Sequence, residues 1–173
     1  MFVRKALESD IPRMMEIYAL ARTFMVEHGN PEQWGADNWP PEYLIRDDIN
    51  ARKSYVCVDA EDDSPGRIVG AFYFDFGEEP EPDYRAITGG AWQSAEPYGV
   101  VHRIASDHSK KGIGTFCINW AVAHSCGHLR IDTHPANSVM RSLLLKLGFS
   151  ERGNVLIGGT KPRIAYEITQ MMK

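Results

Sequence analysis

Residues 102–116 read HRIASDHSKKGIGTF, and the change of character along them decides the fold. The first part completes a β-rich run, YGVVHRIAS (98–106), so a strand ends near Ser106. Lys110, Lys111, Gly112 and Gly114 then make a turn. Apolar residues follow at Ile113, Phe116, Cys117, Trp120 and Ala121, which is one face of a helix. Glycines let backbone N–H groups approach a ligand closely. A helix start leaves N–H donors unpaired and carries partial positive charge. Together these features suit a phosphate or diphosphate, and two adjacent lysines sharpen the reading. The same pattern also fits a plain strand-to-helix turn with solvated lysines.

Working outward, the elements are legible on both sides. Downstream, LRIDT (129–133) reads as a strand. Residues 136–147 carry Val139, Met140, Leu143, Leu144 and Leu147 on one helical stripe, with Gly148 at the stop position. Two more strands are expected near 149–157 and 163–169. Upstream, FVRKA (2–6) is a short strand, and Ser9 is the expected start of a helix whose apolar face holds Ile11, Met14, Met15, Tyr18, Ala21 and Met25. A second helix runs from about Pro41 to Arg52. SYVCVDA (54–60) and RIVGAFYFDF (67–76), joined by the turn EDDSPG, predict an antiparallel pair. Residues 77–97, rich in Gly, Pro and acid, read as one surface excursion of the kind that carries function. The order β-α-α-β-β-β-α-β-α-β-β implies an antiparallel front half and a strand–helix–strand crossover behind it.

Composition narrows the classes. The chain has 173 residues, which predicts one domain over 1–173. Hydrophobic residues make up 43% and charged residues 24%, a globular balance. The formal net charge of −4 and the lack of a basic stretch argue against nucleic acid. Cys57, Cys117 and Cys126 form no disulfide framework, no apolar run is long enough for a membrane, and the N-terminus lacks a signal peptide. A cytoplasmic location is therefore expected, with no membrane partner. A homodimer stays open.

Two motifs resemble those of the GNAT (Gcn5-related) N-acetyltransferases. SKKGIG (109–114) is similar to the family's coenzyme A hexad, Arg/Gln-x-x-Gly-x-Gly/Ala, with Ser109 in the Arg/Gln position. NSVMRSLLLKLGF (137–149) resembles the second motif through Asn137, Met140, Lys146, Gly148 and Phe149, with Leu144 where many members have Tyr. The flanks, including QWG and AWQSAEPYGVVHRIAS, look similar to uncharacterised bacterial members. The resemblance implies an α/β, single-domain acyl-coenzyme A N-acyltransferase fold. Its mixed sheet would have about seven strands, splayed between the fourth and fifth, with about four helices. It further implies acetyl-coenzyme A as co-substrate and a small-molecule or peptide amine as acceptor. Backbone groups of Ile104 and Ala105 would pair with the pantetheine arm. Ser109, Lys110, Lys111, Gly112, Ile113, Gly114 and Thr115 would hold the diphosphate. Asn137 and Met140 would contact the cofactor from the second motif.

Acetyl transfer to an amine requires removal of a proton from a group whose pKa is roughly 10. His102, in the fourth strand and two residues before Ile104, is the first candidate base. Glu96, in the preceding loop, is the second. His134 follows Asp132 at alternate positions and suggests an oriented pair. With Leu144 in the tyrosine position, the thiolate either takes a proton from Tyr98, His134 or Tyr166, or leaves unassisted, since a thiol pKa of roughly 8.5 makes it a fair leaving group. Trp34, Trp39, Trp92 and Tyr98 are candidate walls of an acceptor pocket, or core.

Three other readings are open. Gly112-x-Gly114 before a helix, with Asp132 ending the next strand, suits an NAD(P)-binding oxidoreductase. Against that stand Cys117 in place of a third glycine and a single crossover unit. The Leu144 departure suits a non-catalytic acyl-coenzyme A sensor. His124, Cys126 and His128 are closely spaced, but no distant Cys/His pair completes four ligands, so no metal is expected.

Overall fold

The computed structural model describes residues 1–35, 38–60 and 66–170. Most of the turn EDDSPG, residues 61–65, lies outside them. The elements are β1 (Phe2–Lys5), α1 (Ile11–Glu27), α2 (Glu42–Asn50), β2 (Ser54–Asp59), β3 (Arg67–Gly77), β4 (Tyr98–Ser106), α3 (Ile113–His124), β5 (His128–Thr133), α4 (Ser138–Lys146), β6 (Ser150–Ile157) and β7 (Lys161–Thr169). Short 3-10 turns cover Glu8–Asp10 and Pro82–Arg85. The strand order is β1-β2-β3-β4-β5-β7-β6. β1–β2, β2–β3, β5–β7 and β6–β7 are antiparallel, and β4–β5 is parallel, as the element order predicts. The β4–β5 ladder is short: Gly99 faces Leu129 and Val100 faces Arg130, and among the described residues pairing stops there, although β4 continues to Ser106.

By packing the chain forms two compact units, one of Met1–Phe74 with Arg103–Trp120, the other of Asp75–His102 with Ala121–Lys173. β3, β4 and α3 each contribute residues to both.

In the first unit, α1 buries Ile11, Met14, Ile17, Tyr18 and Ala21. Their spacing of three and four residues puts them on one face. That face belongs to a core with Ile45 of α2 and Val56, Val58, Ala71 and Ala105 of the strands. Ser9 is not the helix cap. Asp10 precedes α1, and its carboxylate takes Arg4 at 2.6 and 3.0 Å and the Leu7 N–H at 2.8 Å. A second cluster stacks Tyr55, Phe72 and Phe74 around Trp120 of α3, with centroids 5.0–5.7 Å from the Trp120 ring. Gly70 lets α3 and β4 approach β3. A Cβ there would lie 2.9 Å from the Ile113 side chain and 3.2 Å from the Ala105 carbonyl oxygen.

In the second unit the buried apolar residues include Val100, Leu129, Ile131, Leu144, Val155, Ile164 and Tyr166. Val139, expected on the buried stripe of α4, is exposed, and Leu144 is the buried residue of that helix. A polar network runs through this unit. Glu167 is fully buried and accepts from His128 Nε2 (2.8 Å), Arg130 Nε (3.0 Å) and the Gln93 N–H (2.5 Å). Arg130 also covers the rings of Trp92 and Tyr98, at 4.3 and 3.9 Å. A buried carboxylate with this many donors keeps its charge. Burial works to raise its pKa, but His128, Gln93 and Arg130 outweigh that and hold it below the usual range. Residues 92–97, far from β7 in sequence, are tied down by this network.

Candidate functional site

The turn that joins β4 to α3 lies in the first unit and is organised by Asp107. The Asp107 side chain is only 1% exposed. It accepts the Ser109 N–H at 3.0 Å and the Ser109 hydroxyl at 2.6 Å, and it pairs with Arg13 at 2.6 Å and with Arg67. Burial pulls its pKa up, and Ser109 and Arg67 bring it below the ordinary carboxylate range. Ser109, in the family's Arg/Gln position, thus spends its side chain on shaping the turn. Asp107 carried no signal in the sequence, because Arg13 and Arg67 lie 94 and 40 residues away.

Gly112 has φ +88, and a Cβ built on it meets nothing within 4 Å. The chain here therefore turns through the left-handed region and faces open space. The Phe116 N–H bonds to the Gly112 carbonyl at 2.9 Å, closing the first turn of α3. The amides of Ile113, Gly114 and Thr115 occupy the positions where helical geometry leaves donors unpaired. Both lysines are exposed, and Lys110 is paired with Asp59 at 3.0 Å. The two lysines, equivalent in sequence, are thereby distinguished.

Just before this turn β4 kinks. Arg103 has φ +51, a left-handed conformation for a non-glycine residue, which costs about 1–2 kcal/mol. Its side chain is fixed by Asp48 at 2.7 Å and by the Tyr73 ring at 4.8 Å. Simple alternation therefore fails at this point, and a shared face for His102 and Ile104 does not follow from their spacing.

His102, in the second unit, stands between two acids. Nε2 is 2.8 Å from Glu81 Oε2, and Nδ1 is 3.7 Å from Asp132 Oδ2. The first contact has ion-pair distance. Tyr84 donates its hydroxyl to the same Asp132 oxygen at 2.8 Å. Burial, and then Asp132, raise the Tyr84 pKa well above its ordinary value, so that hydroxyl remains a donor. Glu81 and Tyr84 come from the excursion 77–97. Nothing in a single sequence registers them against His102, 18 to 21 residues later.

The other expected residues are placed as follows. Glu96 is exposed at the start of β4, and Glu81 is the glutamate beside His102. Asp132 turns to His102, Tyr84 and, at 3.7 Å, Arg163. The His134 Nδ1 accepts the Ala136 N–H at 3.2 Å in the turn after β5. Tyr98 is buried, donates to the Glu81 carbonyl at 3.3 Å, and has its pKa raised by burial. Tyr166 is buried and meets Arg141 at 3.1 Å. Asn137 caps α4, accepting the Met140 N–H at 3.1 Å. Trp34 is 7% exposed and packs edge-on against Tyr18 in the core. Trp39 packs partly buried against the same core. Trp92 donates to the Tyr84 carbonyl at 2.7 Å, so it supports the residue that holds Asp132. Among the described residues no three His, Cys, Asp or Glu side chains are grouped as metal ligands, and no helix is long and apolar enough to cross a membrane.

Comparisons with known proteins bear on the family and the fold. The model of the acetyltransferase (GNAT) family matches residues 12–149. The chain belongs to the GNAT acetyltransferase family. Among solved structures, a GNAT-family acetyltransferase from Streptococcus agalactiae is 26% identical, with a TM-score of 0.85, over 99% of this chain and 96% of that one. A GNAT acetyltransferase from Listeria monocytogenes is 17% identical, with a TM-score of 0.66, over 99% and 94%. Arabidopsis thaliana NAA60, solved in complex with acetyl-CoA, is 15% identical, with a TM-score of 0.62, over 96% of each chain. No curated protein matches the sequence. The dinucleotide-binding reading loses its basis. β4–β5 is parallel and the four other pairings described above are antiparallel, whereas a dinucleotide fold stacks several parallel crossovers.

Proposed function

We propose that this GNAT acetyltransferase transfers the acetyl group of acetyl-coenzyme A to a primary amine by direct attack, with His102 as the base and residues 1–173 acting as one domain. The observation that carries the proposal is the Asp107-ordered turn, open above Gly112 and leading into the first amides of α3. Those amides would bind the diphosphate, with Lys111 adding charge. The pantetheine arm would run along β4 at Ile104 and Ala105. A backbone N–H of β4 would meet the oxyanion formed on the thioester. NAA60, which shares the fold, was solved with acetyl-CoA, and this supports the same donor here.

His102 takes a proton from the acceptor ammonium, and the free amine attacks the thioester carbon. The C–N bond forms, the C–S bond breaks, and the sulfur leaves with the electron pair. The tyrosine position of the second motif is filled by Leu144, fully buried, so no hydroxyl acts from there. Thiolate departure is then unassisted or served by Tyr98, which is held close to Glu81. The test is a broad amine screen with acetyl-coenzyme A that follows free thiol. Thiol release with one acceptor class supports transfer. Calorimetric binding of the donor with no release from any amine would favour a sensor.

A further inference from the structure

We propose that Glu81 and Asp132 are positioning residues that set the tautomer and orientation of His102, with Tyr84 holding Asp132 in place; this rests on the acetyl-transfer reading above. Each carboxylate divides its work. Glu81 Oε1 accepts the Asp83 N–H at 3.2 Å, which fixes the acid at the start of the 3-10 turn. Its Oε2 faces His102 Nε2 at 2.8 Å. Asp132 Oδ1 faces Arg163 at 3.7 Å, and Oδ2 takes the Tyr84 hydroxyl at 2.8 Å while facing His102 Nδ1. Glu81 is anchored through one oxygen and turns the other to the imidazole, whereas Asp132 is anchored by Tyr84 through the same Oδ2 that faces the ring.

A carboxylate only accepts, so the proton of the neutral ring belongs on Nε2, beside Glu81. The basic lone pair is then on Nδ1. Asp132 is too distant there for a direct hydrogen bond, at 3.7 Å, but close enough to stabilise the positive ring. A proton leaving the acceptor ammonium arrives at Nδ1 and gives an imidazolium with an acid on each side. The amine keeps its electron pair, forms the C–N bond as the C–S bond breaks, and the surplus proton on nitrogen passes to the thiolate or to water. Arg163 and the Tyr84 hydroxyl lie against Asp132, and the Tyr98 hydroxyl donates to the Glu81 backbone carbonyl.

The experiment uses the full chain with 15N-labelled histidine and needs no donor or acceptor. Long-range 1H–15N spectra of the wild type should show neutral His102 as the Nε2–H tautomer. Glu81→Ala should lose that preference. With the acceptor found in the screen, Glu81→Ala should lower kcat by at least about tenfold, with the KM for acetyl-coenzyme A within about twofold. Asp132→Asn, which keeps the shape and accepts from Tyr84, should lower kcat while leaving the neutral tautomer in place. An unchanged tautomer in Glu81→Ala, or an unchanged kcat in either folded variant, overturns the proposal. Failure of the wild type to bind acetyl-coenzyme A would sink the acetyl-transfer reading instead, and the tautomer spectra report on the Glu81–His102 contact without it.

Discussion

Replacing Gly112 with Glu separates backbone strain from charge at the proposed diphosphate site. Gly112 has φ +88, so any L residue there costs about 1–2 kcal/mol of stability. A Cβ meets no protein atom within 4 Å, so packing adds nothing to that cost. Gly112→Ala therefore carries the strain alone. The glutamate adds a negative charge, and the Coulomb estimate takes a separation on the order of 6 Å from each of two phosphate charges. Coulomb's law gives about 0.7 kcal/mol per charge in water and about 2.8 kcal/mol at an effective dielectric near 20. Two charges bring the loss to about 1.4–5.5 kcal/mol, roughly tenfold to ten-thousandfold in Kd. Calorimetric titration of coenzyme A, with thermal unfolding of each variant alongside, measures both terms. Gly112→Glu should unfold close to Gly112→Ala and bind coenzyme A at least about tenfold more weakly. Equal affinities in the two folded variants would refute the placement of the diphosphate.

The two lysines should differ: Lys111→Ala weakens coenzyme A binding by about threefold to tenfold and flattens its salt dependence, while Lys110→Ala, whose ammonium is engaged with Asp59, has the smaller effect in the same titration. Glu167 sets an acid limit. Its folded pKa lies below the ordinary value, so its stabilisation is complete above roughly pH 4.3 and is lost as pH falls through the folded value. Unfolding of Glu167→Gln followed against pH should show about 3 kcal/mol lost near neutrality and a shallower acid limb. Leu144→Tyr, at a fully buried position, should destabilise by about 1–3 kcal/mol in denaturant titration without raising thiol release. Trp34→Ala should cost about 3–5 kcal/mol, seen as a lowered Tm, since the ring is core.

Local periodicity was sufficient for the elements. β4 was expected at 98–106 and spans Tyr98–Ser106; the other strands and helices fall within a few residues of expectation. Strand alternation and the 3.6-residue helical repeat are short-range properties, so they survive in the sequence. The Gly112 turn was legible for the same reason, because φ and glycine are tied residue by residue. Only the tertiary structure decided the rest. Asp107 gathers Arg13 and Arg67, Asp59 engages Lys110, Trp34 sinks into the core, and Glu81 and Tyr84 reach His102 and Asp132 from an excursion that looked irregular. These pairings join residues up to 94 positions apart. They are fixed by which strands lie side by side and where β4 kinks at Arg103, and a linear pattern carries no term for either.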